Sequence, residues 1–203
     1  RSKRGEGADS TFYGHEIIGA RMTQKMLLHL KYPNDFIEKV SKLVRFHLFY
    51  YNVDEVGESS VRRLIRKVGP EHMEDLIKVR LCDRIGSGVP KAEPYKLRHF
   101  KFVIEKLLRD PISVKMLKTN GNEIMKITGL EPGPKVGMIL NILLEDVLDE
   151  PAKNKKTALA SRVKELAAMS DKELRKQADD AKNRSAALDE EEVSKIRGKH
   201  RVK

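Results

Sequence analysis

Tryptophan is absent from the chain, and tyrosine and phenylalanine bring the aromatic share to only 5%. That scarcity argues against aromatic-rich β-sandwiches and against sheets that bind single strands by stacking bases on rings. The one cysteine, Cys82, excludes an internal disulfide and any zinc site built from cysteines. No apolar run reaches the length of a membrane span and no signal-peptide pattern is present, so a reducing, cytoplasmic setting is expected. Three chemical signatures are missing as well. There is no Gly-rich phosphate loop ending in Lys-Ser/Thr, no Asp-x-Asp pair for two catalytic metals, and no nucleophile with its base. No residue is therefore assigned a catalytic role.

What is abundant is charge. Of 203 residues 35% are charged, and 41 Lys/Arg against 30 Asp/Glu leave a net +11. The excess is spread along the chain: residues 151–203 hold 15 basic and nine acidic residues, and the remainder 26 and 21. A polypeptide basic in both parts suits an extended polyanion, because each phosphate contact adds affinity by releasing counterions.

The apolar pattern is helical almost throughout, with no alternating run strong enough for a strand. Ile17, Ile18, Met22, Met26, Leu27 and Leu30 follow helical spacing up to Tyr32-Pro33. A second helix begins at Pro33-Asn34-Asp35, with Phe36, Val40, Leu43, Val44 and Leu48 on one face. Ser59 or Ser60 is placed to cap a helix holding Val61, Leu64, Ile65 and Val68, and Met73, Leu76 and Ile77 mark the next. Residues 93–109 read as a long helix stopped by Asp110-Pro111. Beyond it come a short helix, a Gly/Pro turn and a helix starting at Pro134. Ser170-Asp171-Lys172-Glu173 has the form of a capping box.

Two groups of residues point to chemistry. His15, His47 and Asp83 lie on different predicted helices. Converging helices would join them as a metal or phosphohydrolase site requires; the other reading is three polar residues hydrogen-bonded within a bundle. The turn from Gly129 to Gly137 offers Gly133, Lys135 and Gly137 at a helix start, where free amides and a cation suit a phosphate. Lys153, Lys155, Lys156, Arg162 and Lys164, then Arg197, Lys199 and Arg201, extend the basic surface along the tail.

The stretch Asp9-Ser10-Thr11-Phe12-Tyr13-Gly14-His15-Glu16-Ile17-Ile18-Gly19-Ala20 resembles the middle of the HD domain in bacterial CCA-adding enzymes, tRNA nucleotidyltransferases of the poly(A) polymerase type. Val44-Arg45-Phe46-His47 and Arg80-Leu81-Cys82-Asp83-Arg84-Ile85-Gly86-Ser87-Gly88 resemble later segments of that domain. Asp110-Pro111-Ile112-Ser113-Val114 and Leu130-Glu131-Pro132-Gly133-Pro134-Lys135-Val136-Gly137 look like the family's C-terminal helical region. In the family a His-Asp doublet and a nucleotidyltransferase head precede these segments, and this sequence holds neither.

The resemblance implies an all-α chain: a partial HD-like bundle over 1–92, a helical RNA-binding body over 93–151 and a basic helical tail over 152–203. It implies the tRNA-binding C-terminal portion of a CCA-adding enzyme, holding the tRNA backbone for a Mg-dependent head that is not in this chain. His15, His47 and Asp83 match later ligand positions of HD proteins, which implies an incomplete divalent-metal site. A metal-dependent HD-type phosphohydrolase and a helical protein-interaction module are the alternatives.

Overall fold

The helical spacing is realised in a computed structural model, which describes residues 3–4, 11–12, 14–49, 51–53, 55–88, 93–181 and 183. Its helices are α1 (His15–His29), α2 (Asn34–Phe46), α3 (Glu58–Val68), α4 (Met73–Gly86), α5 (Tyr95–Leu107), α6 (Gly121–Thr128), α7 (Pro134–Asp149) and α8 (Lys156–Ala167). A further helix, α9, covers 171–181. The fold is all-α, as expected, with one small departure among the described residues. Two-residue strands β1 (Lys3–Arg4) and β2 (Thr11–Phe12) pair antiparallel, Lys3 opposite Phe12. The basic residues Arg197, Lys199 and Arg201, and Tyr13, lie outside the described residues.

The chain divides into two compact units that interleave in sequence. The first takes Arg1–Tyr51 and Val68–Lys101, the second Asn52–Lys67 and Phe102–Lys203.

In the first unit α1 and α2 form a helical hairpin. Lys31 turns the chain at φ 57° and Pro33, extended at φ −60° and ψ 145°, precedes α2. Gly19 lets the two helices approach closely: a Cβ there would sit 3.3 Å from Val44 Cγ1. Close approach over a small residue has a consequence for the apolar positions of α1. Only Leu27 of that helix is buried, while Ile18, Met22, Met26 and Leu30 stay exposed. On α2 the buried side chains are Ile37 and Leu43, whereas Phe36 is exposed and stacks on Tyr32 at 5.0 Å between ring centroids. α4 adds Met73, Leu76 and Ile77 to the core, and Lys39 reaches Asp75 across to it at 2.7 Å. Phe100, almost fully buried, stacks with Phe49 and meets Tyr51, both at 4.5 Å.

The second unit is built on α7, where Val136, Ile139, Ile142, Leu143, Leu144, Val147 and Leu148 are all buried. Each such side chain contributes about 1.5–3 kcal/mol on leaving water. Leu159, Val163 and Leu166 of α8, Leu174 of α9 and Ile124 of α6 complete the core. α3 enters it with Val61 and Ile65, as the sequence pattern predicts, but begins at Glu58, ahead of the two serines taken as caps. It also buries two arginines that the pattern does not mark, Arg62 at 6% and Arg63 at 4% exposure. Arg62 Nε donates to Asp110 Oδ2 at 2.7 Å and its Nη1 to the Leu148 carbonyl at 3.1 Å, which satisfies an end carbonyl of α7. Arg63 donates to Glu145 Oε2 at 3.1 Å and to Asp149 Oδ1 at 2.7 Å, and Arg66 to Glu145 Oε1 at 2.6 Å.

Helix ends follow local chemistry. Asn120 Oδ1 accepts from the Glu123 amide at 3.0 Å to open α6, and Gly129 closes it in the left-handed region at φ 71°. At α9 the capping box forms in both directions. The Ser170 amide donates to Glu173 Oε2 at 3.0 Å, and the Glu173 amide to Ser170 Oγ at 3.3 Å.

Two measurements test this account. Glu145→Ala leaves Arg63 buried with only Asp149, and is expected to cost about 3–5 kcal/mol by urea denaturation. A cost under about 1 kcal/mol would mean that the network behaves as a solvated surface pair. The Ser170 hydroxyl, and then its amide, hold the Glu173 carboxyl below the ordinary glutamate range. A depressed folded pKa means that its support of α9 is present above the unfolded value and is lost as pH falls through the folded one. Carbon chemical shifts of the first turn of α9 should lose helical character on acidification, and Ser170→Ala should remove that pH dependence.

Candidate nucleic-acid interface

The residues proposed to meet a phosphate belong to the second unit, and they fall at two stations. At the start of α7, Pro134 fills the first helical position, where its missing N–H is no loss. Gly133 is extended at φ 177°, a conformation open to any residue, and a Cβ there would lie 3.9 Å from the Glu131 carbonyl. The glycine that this turn requires is Gly129, in the left-handed region at φ 71°. Gly137 lies within α7 and a Cβ there would meet nothing within 4 Å, so it leaves the first turn bare. Lys135 is not an isolated cation. Its Nζ lies 3.0 Å from Asp171 Oδ1 and donates to the Met169 carbonyl at 3.5 Å, which ties the start of α7 to the turn between α8 and α9.

The second station is the start of α8. Asn154 fixes it: its Oδ1 accepts from the Lys118 amide at 2.8 Å and its Nδ2 donates to the Met116 carbonyl at 3.0 Å. The sequence reading passed over Asn154, whose one signal is its position, two residues ahead of a helix within a basic run. Around it Lys153 pairs with Glu150 at 2.9 Å and Lys156 with Glu123 at 3.4 Å, both cations remaining well exposed. The hydrogen bond that Lys153 donates to Glu150 raises its pKa, so it stays cationic. Lys155 is exposed and has no ion pair among the described residues. Further along α8, Arg162 is held between Asp146 at 3.1 Å and Glu165 at 3.0 Å, and Lys164 is exposed. Burial works against the Arg162 charge, yet those two hydrogen bonds outweigh it and its pKa is raised. The 12 residues of α8 separate the two stations by roughly 18 Å at 1.5 Å per residue.

In the first unit the structure brings two of the three candidate metal ligands together. His15 opens α1 and His47 follows α2, with their rings 5.3 Å apart and tilted by 59°. His47 is buried, and its Nδ1 lies 2.7 Å from the Val44 carbonyl. A carbonyl can only accept, so this bond places a proton on Nδ1. Asp83 lies on α4, where Arg80 Nη1 donates to its Oδ2 at 3.1 Å. Burial lowers the Arg80 pKa, against the attraction of Asp83. Among the described residues no group of three or more His, Cys, Asp or Glu is placed to hold a metal ion. No helix among the described residues is long and apolar enough to cross a membrane.

The chain is 31% identical over 135 residues to the CC-adding tRNA nucleotidyltransferase of Thermus thermophilus, a match covering 66% of this chain and 29% of that protein. It is 29% identical over 139 residues to the A-adding tRNA nucleotidyltransferase of Deinococcus radiodurans, covering 66% of this chain and 31% of that protein. The chain thus spans under a third of the length of the curated relatives it matches. No solved structure matches it. The family described as tRNA nucleotidyltransferase domain 2 matches residues 17–163, from the first turn of α1 into α8, and the chain belongs to that family.

Proposed function

We propose that this chain is the tRNA-holding, C-terminal portion of a cytoplasmic CCA-adding tRNA nucleotidyltransferase. The match over residues 17–163 carries this reading, because it takes in Lys135, Lys153, Lys155, Lys156 and Arg162. In this reading the nucleotide-adding reaction and its Mg belong to a head domain or subunit, and this chain contributes grip. The body and basic tail, 93–151 and 152–203, supply the tRNA contacts. Lys153, Lys155 and Lys156 meet phosphates at one station, the first-turn amides of α7 beside Lys135 meet them at the other, and Arg162 and Lys164 lie along α8 between the two. Two stations roughly 18 Å apart along α8 suit a rigid, folded RNA backbone, since each engages a different stretch of it.

tRNA binding by the chain should weaken linearly in log affinity against log salt. Lys155→Ala and Lys164→Ala should each cost roughly eightfold at about 0.1 M salt, and together flatten the salt slope by about two. Binding that ignores salt, or variants that leave the slope unchanged, would remove this surface from the interface. Asp171→Asn makes the opposite prediction. It releases Lys135 from its carboxylate partner, and tRNA affinity should rise a few-fold.

A further inference from the structure

The first unit holds a groove that the tRNA reading above leaves unused. It runs between α1 and α2 with a volume of about 610 Å³, inside the range of roughly 300–1,000 Å³ common for ligand sites. Ile17, Leu28, Ile37 and Phe46 supply its apolar lining. Three cations border it: Arg21, Lys42 and Arg45. Its one acidic neighbour, Glu38, is taken by Lys42 at 2.6 Å. Arg21 is exposed and has no ion pair among the described residues. Arg45 reaches Glu16 only at 3.7 Å and remains 43% exposed. Ser41 also lines the groove, and its hydroxyl, shut from solvent, has no hydrogen-bond partner among the described residues.

This combination selects an occupant. Seven of the twelve lining residues are polar or charged, which disfavours an apolar helix as the guest. The lining carries a surplus of cations, which favours an anion. An apolar wall beside a cationic rim fits a molecule with one flat apolar part and one anionic part. A nucleotide has that form, its base face against the exposed Ile17 and Leu28 and its phosphate toward Arg21 and Arg45. We propose that the α1–α2 groove seats one unstacked nucleotide of an RNA strand. The proposal rests on the reading of this chain as an RNA-holding protein, and adds to it a single-strand site in the other unit.

The test uses the full chain and a short unstructured RNA oligonucleotide carrying fluorescein, read by anisotropy. Arg21→Ala removes the unpaired cation, and Gln24→Trp fills the groove without changing charge. Both positions are exposed, so circular dichroism should show the fold intact. Arg21→Ala should weaken binding about fivefold at ~0.1 M salt, the loss of one single-strand phosphate contact, and lower the salt slope by about 0.7. Gln24→Trp should weaken binding with the slope nearly unchanged. Thiouridine in the oligonucleotide should cross-link to peptides of α1 or α2. If neither variant alters oligonucleotide binding while Lys155→Ala and Lys164→Ala still weaken tRNA binding, the groove proposal fails and the broader reading stands. If no RNA binds at all, both fail. Adenosine monophosphate binding as tightly as the oligonucleotide would overturn the strand proposal in favour of a free-nucleotide pocket. An acidic peptide that displaces the oligonucleotide from Arg21 at equal concentration would overturn it in favour of a protein partner.

Discussion

Glu145 sits in the middle of the most apolar helix of the molecule and accepts from two arginines at once, Arg63 and Arg66. A carboxylate 6% exposed among Ile142, Leu144 and Leu148 would be too costly alone, and so would a guanidinium 4% exposed. Each makes the other tolerable. Arg62 adds a bond to the Leu148 carbonyl, placing positive charge at the C-terminal end of α7, where the helix dipole favours it. Such a network contributes little net stability relative to apolar residues of the same shape. Its effect is on register. Any other seating of α3 on α7 leaves two buried guanidinium groups without carboxylates, and the Arg63 Nη1 that already lacks a partner shows how little slack there is.

This also marks the limit of reading the chain as text. Periodicity located the helices, because burial along one face leaves a 3.6-residue trace whatever the partner is. Ser170 and Glu173, Pro134 and the turn at Gly129 were legible because their chemistry is local: a cap, a missing N–H, a positive φ. The arginines of α3 were not. In sequence, Val61-Arg62-Arg63-Leu64-Ile65-Arg66-Lys67 looks like an amphipathic helix with a solvated face. Nothing near it signals that carboxylates 48 to 86 positions away will bury that face. α1 failed in the reverse sense: its apolar residues promised burial, but the contact with α2 runs over Gly19, and Met22 and Met26 stay 65% and 57% exposed. The candidate site shows the same division. Lys135 and the lysines around Asn154 could be named from composition and turn chemistry, whereas their carboxylate partners and the two clamps of Asn154 depend on tertiary contacts.

Net charge is consequently a poor map of where a polyanion can bind. Some of the 41 basic residues are committed to holding the protein together. Arg62 and Arg63 are buried, and Arg80 is largely withdrawn from water beside Asp83. Burial thus sorts the basic residues into two classes that sequence cannot separate. The first class cannot be exchanged: moving Arg63 to a phosphate would strand Glu145.

The second class is exchangeable at small cost, and this decides which surface can act. An exposed ion pair contributes about 0–1 kcal/mol, so replacing its carboxylate with a phosphate loses little and gains counterion release. Lys156 with Glu123, Lys153 with Glu150 and Lys135 with Asp171 are pairs of this kind, each with an exposed carboxylate. Arg162 lies between the classes, since its two carboxylates orient a guanidinium that stays 35% exposed. Before a polyanion arrives, these acidic partners hold the cations in place and spare them some loss of side-chain freedom on binding. In the proposed interface the carboxylates at the two stations therefore act as placeholders, and the tightness with which each holds its cation would set the affinity that the surface could reach.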